Sequence, residues 1–425
     1  ADVTAPDGTP GVEVEYFANP GFEGEPAARQ RARRFELRWI ASNAPVGGQF
    51  TLRARATYIA GESGEHRFTL TSSGLSRLFV DGALLVDNWT EQALGTSFYG
   101  EGSGEKGGLI TLEAGSRHEI VLEYQSPERS LMSGVTVGCQ PPIPDRLFER
   151  AVELARRADV AVVVASLTPE WESEGHDRRS LSLPGDQDEL IRQVCAANPR
   201  TVVVLNAGSP VAMPWLDAAP AVLQCWYPGQ EGGEALADLL TGAAEPGGRL
   251  PTTFAHRVED HPSNLTYPGE AGAVSYGEGV FVGYRAFDRT GIAPLFPFGF
   301  GLGYTTFAWA NPALDRAEIR PGEGVRVSVD VTNTGKRPGA EVVQVYLRDV
   351  QSSLLRPDKE LKGFGKVRLN PGETTRVTVD LDARAFAAWD LRAQDWVAEA
   401  GDFEVIVAHD AAHPEATLPL RLLEG

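Results

Sequence analysis

The feature that most limits how this chain can fold is a change of hydrophobic period at Pro141-Pro142-Ile143-Pro144. Before those prolines, from Gly11 to about Gly138, apolar residues recur at every second position. Val12-Glu13-Val14-Glu15-Tyr16-Phe17 alternates, as do 50–56, 66–70, 77–80 and 120–124. A period of two sends successive side chains to opposite faces of a strand. Short strands broken by regularly spaced turns predict a β-sandwich or barrel. After the prolines, a stiff linker, the period becomes helical, with Leu147, Ala151 and Leu154 on one face of 146–158. Apolar runs at 160–166, 201–205 and 221–226 then alternate with amphipathic stretches at 186–197 and 233–240. That alternation predicts βαβ units and a mostly parallel sheet covered on both faces. From Phe307 the period returns to two, in Val325, Val327, Val329 and Val331 and again at 343–347, 375–381 and 403–407. A second β-sandwich is predicted there, of the immunoglobulin or fibronectin III kind.

Between the first apolar run of the middle region and its first helix lies the densest chemistry in the chain. Glu170-Trp171-Glu172-Ser173-Glu174-Gly175-His176-Asp177-Arg178 puts six titratable side chains into nine residues, closed by Leu181-Ser182-Leu183-Pro184-Gly185. A strand that opens into a carboxylate-rich loop with a glycine for tight turning is where an α/β protein places chemistry. The bland alternative is a solvated acidic loop. The net charge of −19 argues against nucleic acid and anionic membranes as partners, and is compatible with a neutral one such as a sugar. Cys139, Cys195 and Cys225 are far apart and odd in number, so neither a disulfide framework nor a zinc site is indicated, and no metal is expected. Gly299-x-Gly301-x-Gly303 lacks the spacing and the βαβ setting of a phosphate loop, so it reads as a closely packed connector.

Two stretches carry resemblances. The hairpin phrase 72–82, with its Asp81-Gly82 turn, followed by Leu84-Leu85-Val86-Asp87-Asn88-Trp89, resembles the PA14 domain, a β-sandwich found with carbohydrate-active enzymes. Residues 146–425 resemble the C-terminal half of family 3 glycoside hydrolases, the β-glucosidase family. The matching phrases are Glu174-Gly175-x-Asp177-Arg178 with Leu181-Ser182-Leu183-Pro184, then Trp226-Tyr227-Pro228-Gly229-Gln230-Glu231-Gly232-Gly233, then Pro246-Gly247-Gly248-Arg249-Leu250-Pro251. Phrases at 277–285, 296–307 and 356–364 match as well. The resemblance implies three domains: a PA14 sandwich over 11–140, an α/β sandwich with its connector over 141–305, and a fibronectin III-like domain over 306–425.

It also implies a retaining exo-acting β-glucosidase working without cofactors by double displacement, in which a TIM barrel supplies the nucleophilic Asp and the α/β sandwich supplies the acid/base Glu. On the motif, the acid/base is Glu174, with Glu172 as second choice. Glu172 and His176 are then candidate contacts to substrate, and Asp177 and Arg178 a pair that fixes the loop. Phe98 and Tyr99, in Ser97-Phe98-Tyr99-Gly100, are candidates for a loop that restricts the aglycone site, as in PA14-bearing relatives. The rival for these two is a strand aromatic in the sandwich core.

The Ser-Asp-Trp nucleophile motif of the family has no match here. Gln394-Asp395-Trp396 lies in the last sandwich and Asp87-Asn88-Trp89 in the first. The expected partner is therefore a barrel segment or chain of the same enzyme, with a homodimer possible, and the substrate a β-glucoside of an oligosaccharide or natural product. A non-catalytic carbohydrate-binding or adhesin-like protein is the alternative. An extracytoplasmic location is favoured over a cytoplasmic one; Asn88 and Asn264 head chance-level sequons.

Overall fold

The computed structural model describes residues 3–40, 43–95, 97–128, 132–143, 146–175 and 177–425. It divides into two compact units, 1–158 with 168–179, and 159–167 with 180–425.

The first unit is a two-sheet β-sandwich. Its strands are β1 (Val3–Thr4), β2 (Val12–Phe17), β3 (Ala28–Ala32), β4 (Glu36–Ile40), β5 (Thr51–Ile59), β6 (Gly64–Ser73), β7 (Leu75–Val80), β8 (Ala83–Asn88), β9 (Lys106–Leu112), β10 (Arg117–Gln125) and β11 (Met132–Gln140). One sheet runs β3-β2-β5-β10-β7-β8, with β1 also on β5, and the other β4-β11-β6-β9. Every pairing is antiparallel. The alternation read in the sequence becomes the inner faces: Val12, Val14, Tyr16, Leu52, Ala54, Leu70, Leu78, Ile120, Leu122 and Tyr124 are buried in one core. Trp39 stacks on Tyr124 at 5.7 Å and meets Phe50 edge-on at 5.2 Å, contacts that add specificity to the area buried.

A charged cluster crosses the larger sheet. Glu123 on β10 is buried, and it accepts from Arg53 on β5 at 2.6 Å and from Arg77 on β7 at 2.7 Å. The two guanidinium groups lie over Phe22 and Trp89 at 5.2 and 5.0 Å. One carboxylate thus cross-links three adjacent strands by charge-assisted hydrogen bonds. Asn88 is buried too, and its amide donates to the hydroxyls of Ser72, Ser76 and Ser103. It is therefore no site for a glycan. Asn264 is exposed.

The rest of the first unit includes helix α1 (Leu147–Arg157). Its expected apolar face is corrected by the structure: Val152 and Ala155 are buried, whereas Leu147 and Leu154 are exposed. The buried face is that of residues three apart, set slightly off the 147–151–154 row. The first three linker residues, 141–143, have no regular structure, and Pro144 lies outside the described residues.

In the second unit, β12 (Ala161–Ser166), β13 (Thr201–Asn206) and β14 (Ala221–Gln224) form a parallel sheet in that order, with α2 (Gln187–Ala197) as the first crossover and α3 (Gly232–Thr241) following. Ala165, Val203, Leu205, Ile191 and Cys195 share its core. The expectation of cover on both faces fails at the edge strand: Val162 and Val164 are 46% and 59% exposed. They point away from the face on which α2 packs, because neighbours along a strand alternate.

The connector carries a short helix, α4 (Tyr284–Thr290), that periodicity missed among glycines. Its glycine row is a set of close approaches. A Cβ at Gly299 would stand 2.3 Å from Gln344 Oε1, and one at Gly301 2.4 Å from the Gly248 carbonyl oxygen.

The C-terminal sandwich pairs β15 (Phe307–Leu314), β17 (Val325–Asn333) and β20 (Thr374–Leu381) in one sheet. Its other sheet has the order β16 (Glu318–Ile319), β24 (Pro414–Leu422), β23 (Gly401–Ala408), β18 (Gly339–Asp349) and β19 (Glu360–Leu369). A separate hairpin joins β21 (Ala388–Asp390) to β22 (Asp395–Val397). Buried Glu341 ties this sandwich to the connector through Arg249 at 3.1 Å and approaches His409 at 3.7 Å. His409 also packs against Trp309 at 4.0 Å.

Two stability predictions follow from these clusters. Glu123→Ala leaves two converging cations without their anion and is expected to cost the first unit about 2–3 kcal/mol, read as a lower urea midpoint for its transition. The Glu341 carboxylate, with Glu415 also contributing, pushes the His409 pKa above its ordinary 6.5. A raised folded value means stabilisation that is complete below pH 6.5 and lost as pH rises through the folded value. The second unit should therefore melt progressively lower as pH rises above 6.5, and His409→Gln should flatten that dependence.

Candidate active site

The acidic loop leaves the carboxyl end of β12, the end at which open parallel sheets place their ligands. Its base is closed by one side chain of α2. Gln187 accepts from the Ser166 backbone N–H at 2.8 Å and donates to the carbonyls of Ser166 and Pro184, both at 3.1 Å. The two ends of the excursion are thereby joined at the first turn of the helix. Sequence reasoning missed Gln187; its only signal was a long amide just after the Leu-Pro-Gly turn.

Within the loop, the backbone N–H groups of Trp171 and Glu172 both donate to the Thr168 carbonyl, at 2.8 and 2.9 Å. Farther along, Arg178 reaches back to Glu172 with an N···O distance of 3.6 Å. Their side chains are only 11% and 13% exposed, so this pair is shielded from water rather than dangling in it. Glu174 sits between the two in sequence and is exposed, as is Asp177. Among the described residues Glu174 takes part in no ion pair. The Gly175 N–H donates to Ser173 Oγ at 3.2 Å, turning the chain directly after Glu174. The structure therefore separates the two candidate glutamates by circumstance: Glu172 is engaged by a cation, and Glu174 is presented. His176 lies outside the described residues.

Phe98 and Tyr99 are brought to this loop, in a short turn (98–100) and not in a strand. Both have left-handed backbones, φ 52° and φ 58°, followed by Gly100 at 81°. Left-handed geometry at bulky residues costs about 1–3 kcal/mol each and marks a turn held by its surroundings. Phe98 is half-buried, whereas Tyr99 is 51% exposed. Tyr99 and the acidic loop meet: a Cβ on Gly175 would stand 3.4 Å from Tyr99 Cα and 3.8 Å from its ring. Both segments belong to the first unit.

Elsewhere in the second unit, a cavity of about 570 Å³ opens beside α4, lined among others by Tyr284, Asp288, Lys359 and Asp410. Lys359 donates to Asp288 there at 2.5 Å. None of the candidate site residues of the acidic loop or of the 98–99 turn lines it. All three cysteines are free thiols.

Comparison with known proteins fits this arrangement. The profile of the glycosyl hydrolase family 3 C-terminal domain matches residues 53–304, and that of a fibronectin type III-like domain matches 341–411. A β-glucosidase of Rhizobium radiobacter is 43% identical over 97% of this chain, which covers 51% of that protein. A probable β-glucosidase I of Aspergillus clavatus is 42% identical over 81% of the chain, covering 43% of its own length. Among solved structures, the β-glucosidase of Kluyveromyces marxianus in complex with glucose matches all of this chain and 52% of its own, with a TM-score of 0.91 at 32% identity. DesR, a β-glucosidase from Streptomyces venezuelae in complex with D-glucose, matches 86% of this chain and 45% of its own, with a TM-score of 0.65 at 35% identity. The chain spans about half the length of these relatives. With more than half its length matched by the family profile, this chain belongs to glycosyl hydrolase family 3, whose C-terminal domain it carries together with a fibronectin type III-like domain.

Proposed function

We propose that this chain is the acid/base-bearing part of a retaining, exo-acting β-glucosidase that removes terminal β-D-glucosyl residues. The observation that carries the proposal is the contrast within one loop: Glu172 is tied to Arg178, while Glu174, in the Glu-Gly-x-Asp-Arg phrase, stands exposed. The nucleophilic Asp comes from a TIM barrel outside this sequence, as a segment or chain of the same enzyme. The first sandwich is taken as a PA14 insertion over 11–140, followed by the α/β region over 141–305 and the fibronectin III-like domain over 306–425.

In the first step Glu174 gives its proton to the glycosidic oxygen while the barrel carboxylate attacks the anomeric carbon and the bond to the aglycone breaks. In the second, Glu174 as carboxylate takes a proton from water, whose oxygen displaces the enzyme carboxylate and releases β-glucose. The two carboxyl groups of such a pair stand about 5–5.5 Å apart, too close for a separate attacking water. An acid that holds its proton near neutrality needs burial or a nearby negative charge. On this reading, closure of the barrel over the loop supplies that environment.

The exposed Tyr99 ring is the first choice for the aglycone wall, with Phe98 beneath it, and His176 and Glu172 are further substrate contacts. A wall of this kind suits oligosaccharide ends and glycosylated natural products alike. Asp177 and Arg178 serve the loop rather than the reaction.

In the complete enzyme, Glu174→Gln is expected to lower kcat/KM on an unactivated β-glucoside by about 10²–10⁴-fold. Azide, a small anionic nucleophile that needs no general base, should restore turnover of activated glucosides as the β-glucosyl azide. Glu172→Gln should cost far less and show no azide rescue. Full activity in Glu174→Gln would sink the assignment, and sugar binding without any turnover in the parent enzyme would favour a carbohydrate-binding role.

A further inference from the structure

We propose that Phe98 is a positioning residue for Glu174, acting through Tyr99 and Gly175; the proposal rests on Glu174 being the acid/base. The Phe98 ring is lodged between two glycines. A Cβ on Gly134, in β11, would stand 2.5 Å from Phe98 Cε1, and one on Gly102 would stand 2.6 Å from its Cδ2. Real Cβ atoms do not approach that closely, so the seat exists only because both positions lack side chains. Arg38 stands directly opposite Gly134 in the β4–β11 ladder and lays its guanidinium over the same ring at 5.8 Å. Half-buried Phe98 is thus held against the sandwich at Gly134, Gly102 and Arg38.

That grip accounts for the turn. Its local hydrogen bonds, from the N–H groups of Gly100 and Gly102 to the Ser97 carbonyl and from Glu101 to the Phe98 carbonyl, are ordinary ones. They do not oblige two aromatic residues to adopt left-handed backbones. An anchored ring does, because with the ring fixed the chain must pass over it in a tight reversal. The reversal sets the Tyr99 backbone against Gly175, the residue next to Glu174. A β-sandwich tip thereby butts against a loop that lies between the regular elements β12 and α2. General acid catalysis needs the carboxyl within hydrogen-bond reach of the leaving oxygen, and a displacement of about 1 Å can cost 100-fold. Phe98 need not touch substrate to matter.

The test compares Phe98→Ala, Phe98→Leu and Glu174→Gln in the complete enzyme, using two substrates. 2,4-Dinitrophenyl β-glucoside releases a stable anion that needs no proton, whereas methyl β-glucoside requires full proton donation. Expected for Phe98→Ala is a loss in kcat/KM of about 10- to 100-fold on the methyl glucoside and less than about 3-fold on the dinitrophenyl glucoside. Phe98→Leu, which keeps an apolar side chain in the seat, should recover most of the loss. Melting curves of each variant report folding separately from this split. Equal losses on both substrates, no loss on either, or a rise in KM confined to bulky aglycones would overturn the positioning role, the last by making Phe98 a substrate contact. If Glu174→Gln itself shows no split, the acid assignment fails and takes this inference with it. A split in Glu174→Gln without one in Phe98→Ala overturns the positioning role alone.

Discussion

A loop that leaves a strand and returns to a helix lacks the continuous ladder of a sheet, yet on the proposed reading its acid/base residue has to be held to well within about 1 Å. Several side chains in and beside residues 168–179 answer that constraint. Gln187 joins the two ends of the excursion through the backbone of Ser166 and Pro184. Arg178 and Glu172 close a smaller ring inside it. The turn at Phe98 and Tyr99 abuts it at Gly175. Each contact is modest alone, about 1 kcal/mol for a neutral hydrogen bond. Within the loop, Glu172 and Arg178 are the half-buried side chains, while Glu174 is among the exposed ones.

Three glutamates in five residues pose a problem of assignment that charge counting cannot solve. What separates them is the company each keeps. A carboxylate beside a guanidinium, both shielded, is part of the scaffold; removing either partner leaves a charge in a poorly hydrated place. A carboxylate on the exposed arc is available to a reaction. The same division between anchored and presented groups recurs in the neighbouring turn, where Phe98 is gripped and Tyr99 is displayed. Adjacent residues of like type thus take opposite roles because a backbone reversal points them apart.

How much of this could be read from the sequence depended on how local the signal was. Period two gave β2, β5, β6, β7, β10, β17, β18, β20 and β23 to within a few residues, since alternation is imposed by burial of one sheet face, but left others, among them β4, β9, β11, β19 and β24, unread. The parallel strands were legible as continuous apolar runs and their helices by helical spacing. Helix α1 was found but turned wrongly, because Leu147 and Leu154 make a plausible stripe while Val152 and Ala155 are the pair that is buried. The short α4 was hidden by the glycines at its two ends, Gly283 and Gly291, both at positive φ, which make it only seven residues long. At the site, the motif named Glu174 and the loop pair. It did not show that Arg178 reaches Glu172, nor that Gln187 clamps the base, because both depend on how the loop folds back. The seat of Phe98 was least legible of all: Gly102 and Gly134 are far apart in sequence and identical in kind to dozens of other glycines.

On the proposed reading, double displacement imposes a last condition. The nucleophile and the acid/base must face one anomeric carbon from opposite sides, and neither can be replaced by a neighbour on the same loop. Glu172 is engaged by Arg178 two residues from Glu174, on the same stretch of chain, so it cannot serve as the opposing carboxylate. The second carboxylate must therefore be presented by a different element, on the proposed reading the barrel. An enzyme arranged this way sets the distance between its two carboxylates by how two separately folded parts close on each other. Holding the acid's loop stiff before closure then becomes a catalytic requirement as well as a structural one. A flexible loop would let the parts close with the acid misplaced, which the Arg178–Glu172 pair and the turn at Tyr99 act against.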